Sequence, residues 1–292
     1  MAKNTNLFED LHKKWGSYEE ALHNELWSKH GSILSPLQNT LRHIAAGSLA
    51  VLLLISQPAT SSIIAQSLQS DVAPVAETIH TRPQLITTLS PLLPKDVVEL
   101  SPDQETQIAT TLSEYFKLSV KAILDGKRLN RSYGYIGAEQ HLMRFAGDTI
   151  SSHFVTEAEA HEFGASGMAP GRGAWGYFSD SFENMAQKDI DREKYYIAVQ
   201  TFLSPGWSEN TNEMYAFFKY RKMLVINPEN GKSMVVVIGD AGPAPWTGKH
   251  LGGSPEVMRY LERVDGSAKG PVLYFFIDDP EDKVPLGPIE VQ

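Results

Sequence analysis

The chain contains no cysteine among its 292 residues. Disulfides, thiolate metal ligands and every cysteine-nucleophile enzyme, the cysteine-dependent wall peptidases included, are therefore excluded. It also lacks a basic run. Lys and Arg number 26 against 35 Asp and Glu, a net charge of −9, and no basic segment interleaves with aromatics. Nucleic acid is excluded as a partner, because phosphate binding rests on dense Lys and Arg. The Gly-rich stretch at 164–173, GASGMAPGRG, lacks the Gly-Lys-Ser/Thr ending of a phosphate loop and does not run from strand into helix, so no nucleotide site is expected. It reads as a loop at the edge of a folded domain. No internal repeat is visible. What remains is a chain with 42% hydrophobic residues, enough to bury a core in one or two domains.

Long apolar runs are nearly absent too. The exception is Ile44 to Ile55, IAAGSLAVLLLI. As a helix it covers about 18 Å, short of the ~30 Å hydrocarbon core. That length suits a signal-peptide core, with Ala59-Thr60-Ser61 as a cleavage site; extension to Ala65 gives a spanning anchor. A buried core helix is the third reading. The 43 residues before the run hold five Lys or Arg, whereas none occurs between His43 and Arg82. By the positive-inside rule the long C-terminal part lies outside the cytoplasm. The expected location is the cell membrane, as a single-pass protein with its C-terminal domain extracytoplasmic, or secreted if the segment is cleaved.

The remaining pattern divides the chain. Residues 1–43 form a tail with Leu7, Leu11, Trp15, Leu22 and Leu26 at roughly helical intervals. Residues 44–65 are the targeting segment and 66–100 a linker rich in small and hydroxyl residues. Ser101-Pro102-Asp103 opens a helix, and Ile108, Leu112, Phe116, Val120 and Ile123 line one face of it up to Gly126; residues 101–165 read as a helical spacer. Past Asn130 Gly, aromatic and β-branched residues dominate. Strands are expected at Trp175–Phe178, Tyr195–Leu203, Met214–Phe218, Lys222–Asn227, Ser233–Gly239 and Val272–Ile277. Asn227 to Gly231 should turn a hairpin with Gly231 left-handed, and Pro255–Leu261 a short helix. The fold class is α+β, with N-terminal helical segments including one membrane-targeting helix and a small closed β-barrel over residues 166–292.

Two groups of residues carry chemistry. The strand ending at Gly239 delivers Asp240 into a Gly-Pro corner, which places a carboxylate on a tight loop; it is also a common way to cap a turn through backbone amides. Six residues separate His141 from Asp148, with His153, Glu157 and His161 following. That spacing resembles the first two zinc ligands of the D-Ala-D-Ala peptidases, and three side chains plus a water make a hydrolytic zinc site. Glu157 and His161 follow too closely for that family's third ligand, so no metal ligand is assigned and no cofactor is called for. Asp278-Asp279 reads as a strand-ending turn or a weak cation site.

The segment Lys222–Leu261 resembles the second half of RlpA-like double-psi β-barrels, a superfamily that includes expansin-like and MltA-like wall-active domains. Asn230-Gly231-Lys232-Ser233 and Asp240-Ala241-Gly242-Pro243 match its turn and its Asp-x-Gly-Pro corner, and Ser254 opens the short helix. GAWGYFSD, from Gly173 to Asp180, is similar to the aromatic strand that opens such barrels. The expected strand Tyr196–Gln200 carries no His, and Leu251-Gly252-Gly253-Ser254 lacks the family's acid, so Asp240 alone carries over. The wider chain resembles membrane-anchored proteins of candidate bacterial phyla through its GAEQHL, GAWGYF and DAGPAPWTGKH blocks, which imply no activity.

The resemblance implies a cell-wall-associated protein that engages peptidoglycan or another wall polysaccharide. A lytic transglycosylase-like reaction would use Asp240 as general acid, its pKa raised by burial against Trp246 and Pro243. Trp175, Tyr177 and Trp246 would stack on sugar faces, while Lys249 and His250 would orient the substrate. The alternatives are a noncatalytic glycan- or protein-binding envelope module and, more remotely, a zinc-dependent wall peptidase.

Overall fold

Three apolar runs, Met223–Ile226, Met234–Ile238 and Val272–Ile277, show no polar alternation, so a strand built from any of them must bury both faces. A computed structural model, describing residues 80–263 and 269–292, shows how. Strands β1 (Val120–Lys121), β2 (Tyr133–Ala138), β3 (Tyr196–Val199), β4 (Lys222–Ile226), β5 (Ser233–Ala241), β6 (Leu251–Gly253), β7 (Gly270–Ile277) and β8 (Gly287–Ile289) are joined by helices. These are α1 (Arg82–Leu89), α2 (Pro102–Phe116), α3 (Ile150–His153), α4 (Glu157–Phe163), α5 (Gln187–Lys194), α6 (Thr211–Phe218) and α7 (Pro255–Tyr260). All described residues belong to one unit, Pro74–Gln292. The tail, the targeting segment and residues 66–79 of the linker lie outside the described residues. Among those described, no helix is long and apolar enough to cross a membrane.

Six strands close on themselves in the order β7-β2-β6-β3-β5-β4 and back to β7. Two pairings are parallel, β2 with β6 and β3 with β5; the other four are antiparallel. Exchanging β2, β3, β4 for β5, β6, β7 reproduces the same set of neighbours. The two halves of the chain thus interlock symmetrically, an arrangement compatible with a double-psi barrel. Alternate residues explain the continuous apolar runs. Met223, Val225, Val236, Ile238, Val272, Tyr274 and Phe276 fill the barrel core. Leu224, Ile226, Val235, Leu273 and Phe275 face outward and pack with Leu85 and Leu89 of α1 and Ile108, Leu112 and Phe116 of α2.

The structure corrects several expectations. The barrel takes β2 from within 101–165, so that stretch is no simple helical spacer, and α1 falls inside the expected linker. Helix α2 begins as expected: Ser101 Oγ accepts from the Gln104 amide at 3.3 Å and the Gln104 side chain accepts from the Ser101 amide at 3.0 Å. It ends at Phe116, where Lys117 turns left-handed at φ 53°; Val120 enters β1 opposite Ile277 and Ile123 is exposed. Met214–Phe218 is not a strand but the end of α6, because Met214, Phe217 and Phe218 are buried at helical spacing while Tyr215 is exposed. Trp175–Phe178 is not a strand: Trp175 lies in a Gly173–Gly176 turn closed by the Gly176 amide on the Gly173 carbonyl at 2.9 Å, with Gly176 at φ 85°. The hairpin holds: Gly231 sits at φ 72° and its amide reaches the Asn227 carbonyl at 2.9 Å.

Candidate functional site

Asp240 is aimed by an irregularity in β5. Ile197 pairs with Ile238 but Ala198 pairs with Asp240, so Gly239 is an extra residue in the strand. Such a bulge re-aims the side chain that follows it. A Cβ on Gly239 would lie 2.5 Å from that of Tyr196. Asp240 Oδ1 accepts from the Ala174 amide at 2.6 Å and the Ala241 amide at 2.8 Å, while Oδ2 has no hydrogen-bond partner among the described residues. Burial raises the carboxyl above its ordinary value; the two amides oppose this, and the negative charge of Glu139 adds to it. A concavity of about 490 Å³ opens beside it, lined by Arg172 to Gly176 and Tyr215.

The expected sugar platform is only partly available. Trp175 is 4% exposed and belongs to the barrel core, its indole N–H donating to the Tyr215 carbonyl at 3.1 Å; it cannot stack on a ligand. Tyr177 is half-buried, with the Arg172 guanidinium 5.8 Å from its ring centre. Lys249 is committed to Glu139 at 2.6 Å and to the Ala138 carbonyl at 3.0 Å. His250 Nδ1 accepts from the Tyr135 amide at 2.9 Å and its ring stacks on Tyr135. Burial, then the charge of Arg131, holds its pKa below the ordinary value. Trp246 is the exception, 88% exposed. Asp278-Asp279 does end a strand: Asp279 accepts from the Lys283 and Val284 amides and pairs with Lys222 at 2.7 Å.

A second cluster is buried. His141 follows β2, His153 ends α3 and Glu193 lies on α5; one nitrogen or oxygen from each lies within 4.8 Å of the others, and all three residues are buried. His153 Nε2 is 2.8 Å from Glu193 Oε2 and Nδ1 is 3.1 Å from Asp148 Oδ2. Asp148 is in turn gripped by Arg144 Nε at 2.9 Å, and Glu193 Oε1 accepts from the Leu142 amide at 2.9 Å. Burial opposes ionisation of Asp148, but hydrogen bonds from His153 and Arg144 outweigh it and hold the carboxyl well below its usual range. Burial likewise disfavours protonated His153, yet Asp148 and Glu193 together lift it to about 9. Glu193, despite complete burial, is held low by the two imidazoles. Glu256 at the start of α7 is pushed up to about 7, chiefly by burial.

The His141 and Asp148 spacing thus pointed to the right neighbourhood with a different partition. His141 and His153 share the cluster, Asp148 orients His153, and His161 lies on the exposed side of α4. Glu193 and Glu256 carried no usable signal: Glu193 is one of six charged residues in the eight-residue stretch QKDIDREK, of which it alone is buried. A concavity of about 930 Å³ lies between the end of β2, α4 and α7 and is lined by neither Asp240 nor the three cluster residues.

No protein-family model matches the chain. No curated protein matches it.

Proposed function

We propose that this is an extracytoplasmic, wall-associated protein of RlpA-like double-psi type, held at the membrane through residues 44–65, whose barrel docks on peptidoglycan glycan. The observation that carries the reading is Trp246. Its side chain is exposed, yet its loop is fixed: Thr247 Oγ1 donates to the Ala244 carbonyl at 2.7 Å, and Gln200 Nε2 donates to the Pro243 carbonyl at 3.0 Å and the Lys249 carbonyl at 3.3 Å. A large aromatic on an ordered loop gives up little conformational freedom on binding, and its face suits a sugar ring. Within four residues of Trp246 in sequence stand Lys249, paired with Glu139, and His250, stacked on Tyr135; these supply polar edges. Asp240 serves here as the lock of the corner from which this loop departs, through its two amide contacts.

A second reading, lytic cleavage with Asp240 as general acid, is favoured by the burial that raises its pKa and by the unengaged Oδ2. Sedimentation of the protein with purified peptidoglycan sacculi, with chromatography of the soluble fraction, separates the two. Docking predicts binding that Trp246→Ala weakens about tenfold, that Asp240→Asn leaves intact, and that releases no fragments. Fragments released by the wild type and lost in Asp240→Asn would assign the lytic activity. Failure of the wild type to bind sacculi would overturn both.

A further inference from the structure

His141 is the least explained residue in the fold. It is 0% exposed, and neither ring nitrogen has a hydrogen-bond partner; Nδ1 is 3.5 Å from Glu193 Oε1, an approach that makes no hydrogen bond. A buried polar group without a partner costs on the order of 1–3 kcal/mol, and such groups call for a specific account. Glu256 Oε2, close by at the start of α7, is also buried and unpartnered. Two chain segments therefore each bring an unpartnered buried polar group to this neighbourhood.

We propose that His141, His153 and Glu193 bind one divalent transition-metal ion of the zinc class. Two imidazoles and one carboxylate are a donor set that zinc takes with a further position left open. The outer contacts fit as well. A metal-bound imidazole commonly gives its other nitrogen to a carboxylate, and here Asp148 receives His153 Nδ1 and is itself held by Arg144. The Leu142 amide fixes Glu193 Oε1. The ion takes the place of the proton shared between His153 Nε2 and Glu193, and it gives His141 the partner it otherwise lacks. Glu256 lines the same cavity as His153 and Glu193 but is not one of the three donors. Access is through a cavity of about 380 Å³ lined by His153, Thr156, Glu193, Lys194, Tyr195 and Glu256. The ion would cross-link three separate segments of the 139–194 connection between β2 and β3.

The competing account is a self-neutralising network of Arg144, Asp148, His153 and Glu193 that needs no ion. Metal analysis of the full chain, purified without an affinity tag or chelator, decides between them. About one equivalent of zinc per chain is expected, and chelator-stripped protein should rebind Zn²⁺ or Co²⁺ tightly, the latter with the visible bands of a four-coordinate site. His141→Gln should abolish stoichiometric retention. Asp148→Asn, which leaves the three donors in place, should weaken affinity about 10–100-fold. Wild type that retains no metal and rebinds none at micromolar concentration overturns the proposal, as does His141→Gln that binds like wild type. Should His141→Gln fail to fold, the cobalt spectrum and the Asp148→Asn affinity stand as the deciding measurements.

Discussion

Two tryptophans that look alike in the sequence have opposite fates. Trp175 follows a glycine and an alanine in a stretch that reads as an aromatic strand, and Trp246 follows a proline in a loop. Nothing local says which is inside. Trp175 is buried because the Gly173–Gly176 turn folds it onto α6, where its indole N–H finds a carbonyl; that partner lies 40 residues away in sequence. Trp175→Ala is therefore expected to cost about 3–5 kcal/mol of stability, whereas Trp246→Ala should change it by no more than about 0.5 kcal/mol. Chemical denaturation of both variants checks this. A large loss from Trp246→Ala would mean that the loop is part of the core and would remove the basis for glycan docking. Asp240 was legible as a carboxylate at a corner, because the Asp-x-Gly-Pro pattern is local. Its grip on the Ala174 amide was not, since that contact spans 66 residues.

Elements were legible where their signal lay within a few residues. The capping of α2, the hairpin at Gly231, and β4, β5 and β7 all declare themselves through caps, turns or apolar runs. Met214–Phe218 misled because aromatic and unbranched apolar residues serve either structure, and burial at 214, 217 and 218 is settled only by packing into the barrel core, with Phe217 and Phe218 against Phe276. β2 and β6 escaped notice because Gly-rich segments such as YGYIGA and LGG become strands only when partnered. Between β4 and the C-terminal segment the fold relies on charge. Lys222 at the start of β4 meets Asp279 at 2.7 Å and Asp282 at 2.6 Å, and donates to the Val284 carbonyl. Asp282 is lowered to about 2, by Lys188 first and then Lys222; Asp279 is lowered because Lys222 and two amides outweigh burial. Carboxyls held low in the folded state contribute stability above their ordinary value of 3.8. That contribution is lost as pH falls toward about 2. Lys222→Met should thus cost about 1–2 kcal/mol at neutral pH, between the values of a surface and a buried pair. The gap from wild type should close between pH 4 and 2. Melting curves across that range test it; a gap independent of pH would show that Lys222 acts through packing alone.

At the scale of the whole molecule the question is what the helices before the barrel are for. Read along the chain, they look like a spacer carrying a wall-binding domain away from the membrane. Their packing says otherwise. Strands β4, β5 and β7 expose Leu224, Ile226, Val235, Leu273, Phe275 and Ile277 on their outer faces, and α1 and α2 supply the apolar surface that covers them. His80 and Tyr115 also stack at 4.1 Å, and the Gln292 amide reaches the Tyr115 carbonyl at 2.9 Å, so Gln292 is fastened to α2. Each buried side chain of this kind contributes roughly 1.5–3 kcal/mol, against a total stability of about 5–15 kcal/mol for an ordinary domain. Stripping a layer with several of them leaves little or nothing. A protein beginning at Pro74 should accordingly melt in one cooperative transition, because both apolar layers and the closed barrel are retained. One beginning at Ser132, which keeps all six barrel strands but neither helix, should be insoluble or bind a hydrophobic dye without a cooperative melt. Calorimetry and dye binding on the two chains distinguish the cases. If the shorter chain folded as well as the longer, α1 and α2 would be a spacer after all, and the outer faces of β4, β5 and β7 would have to tolerate water.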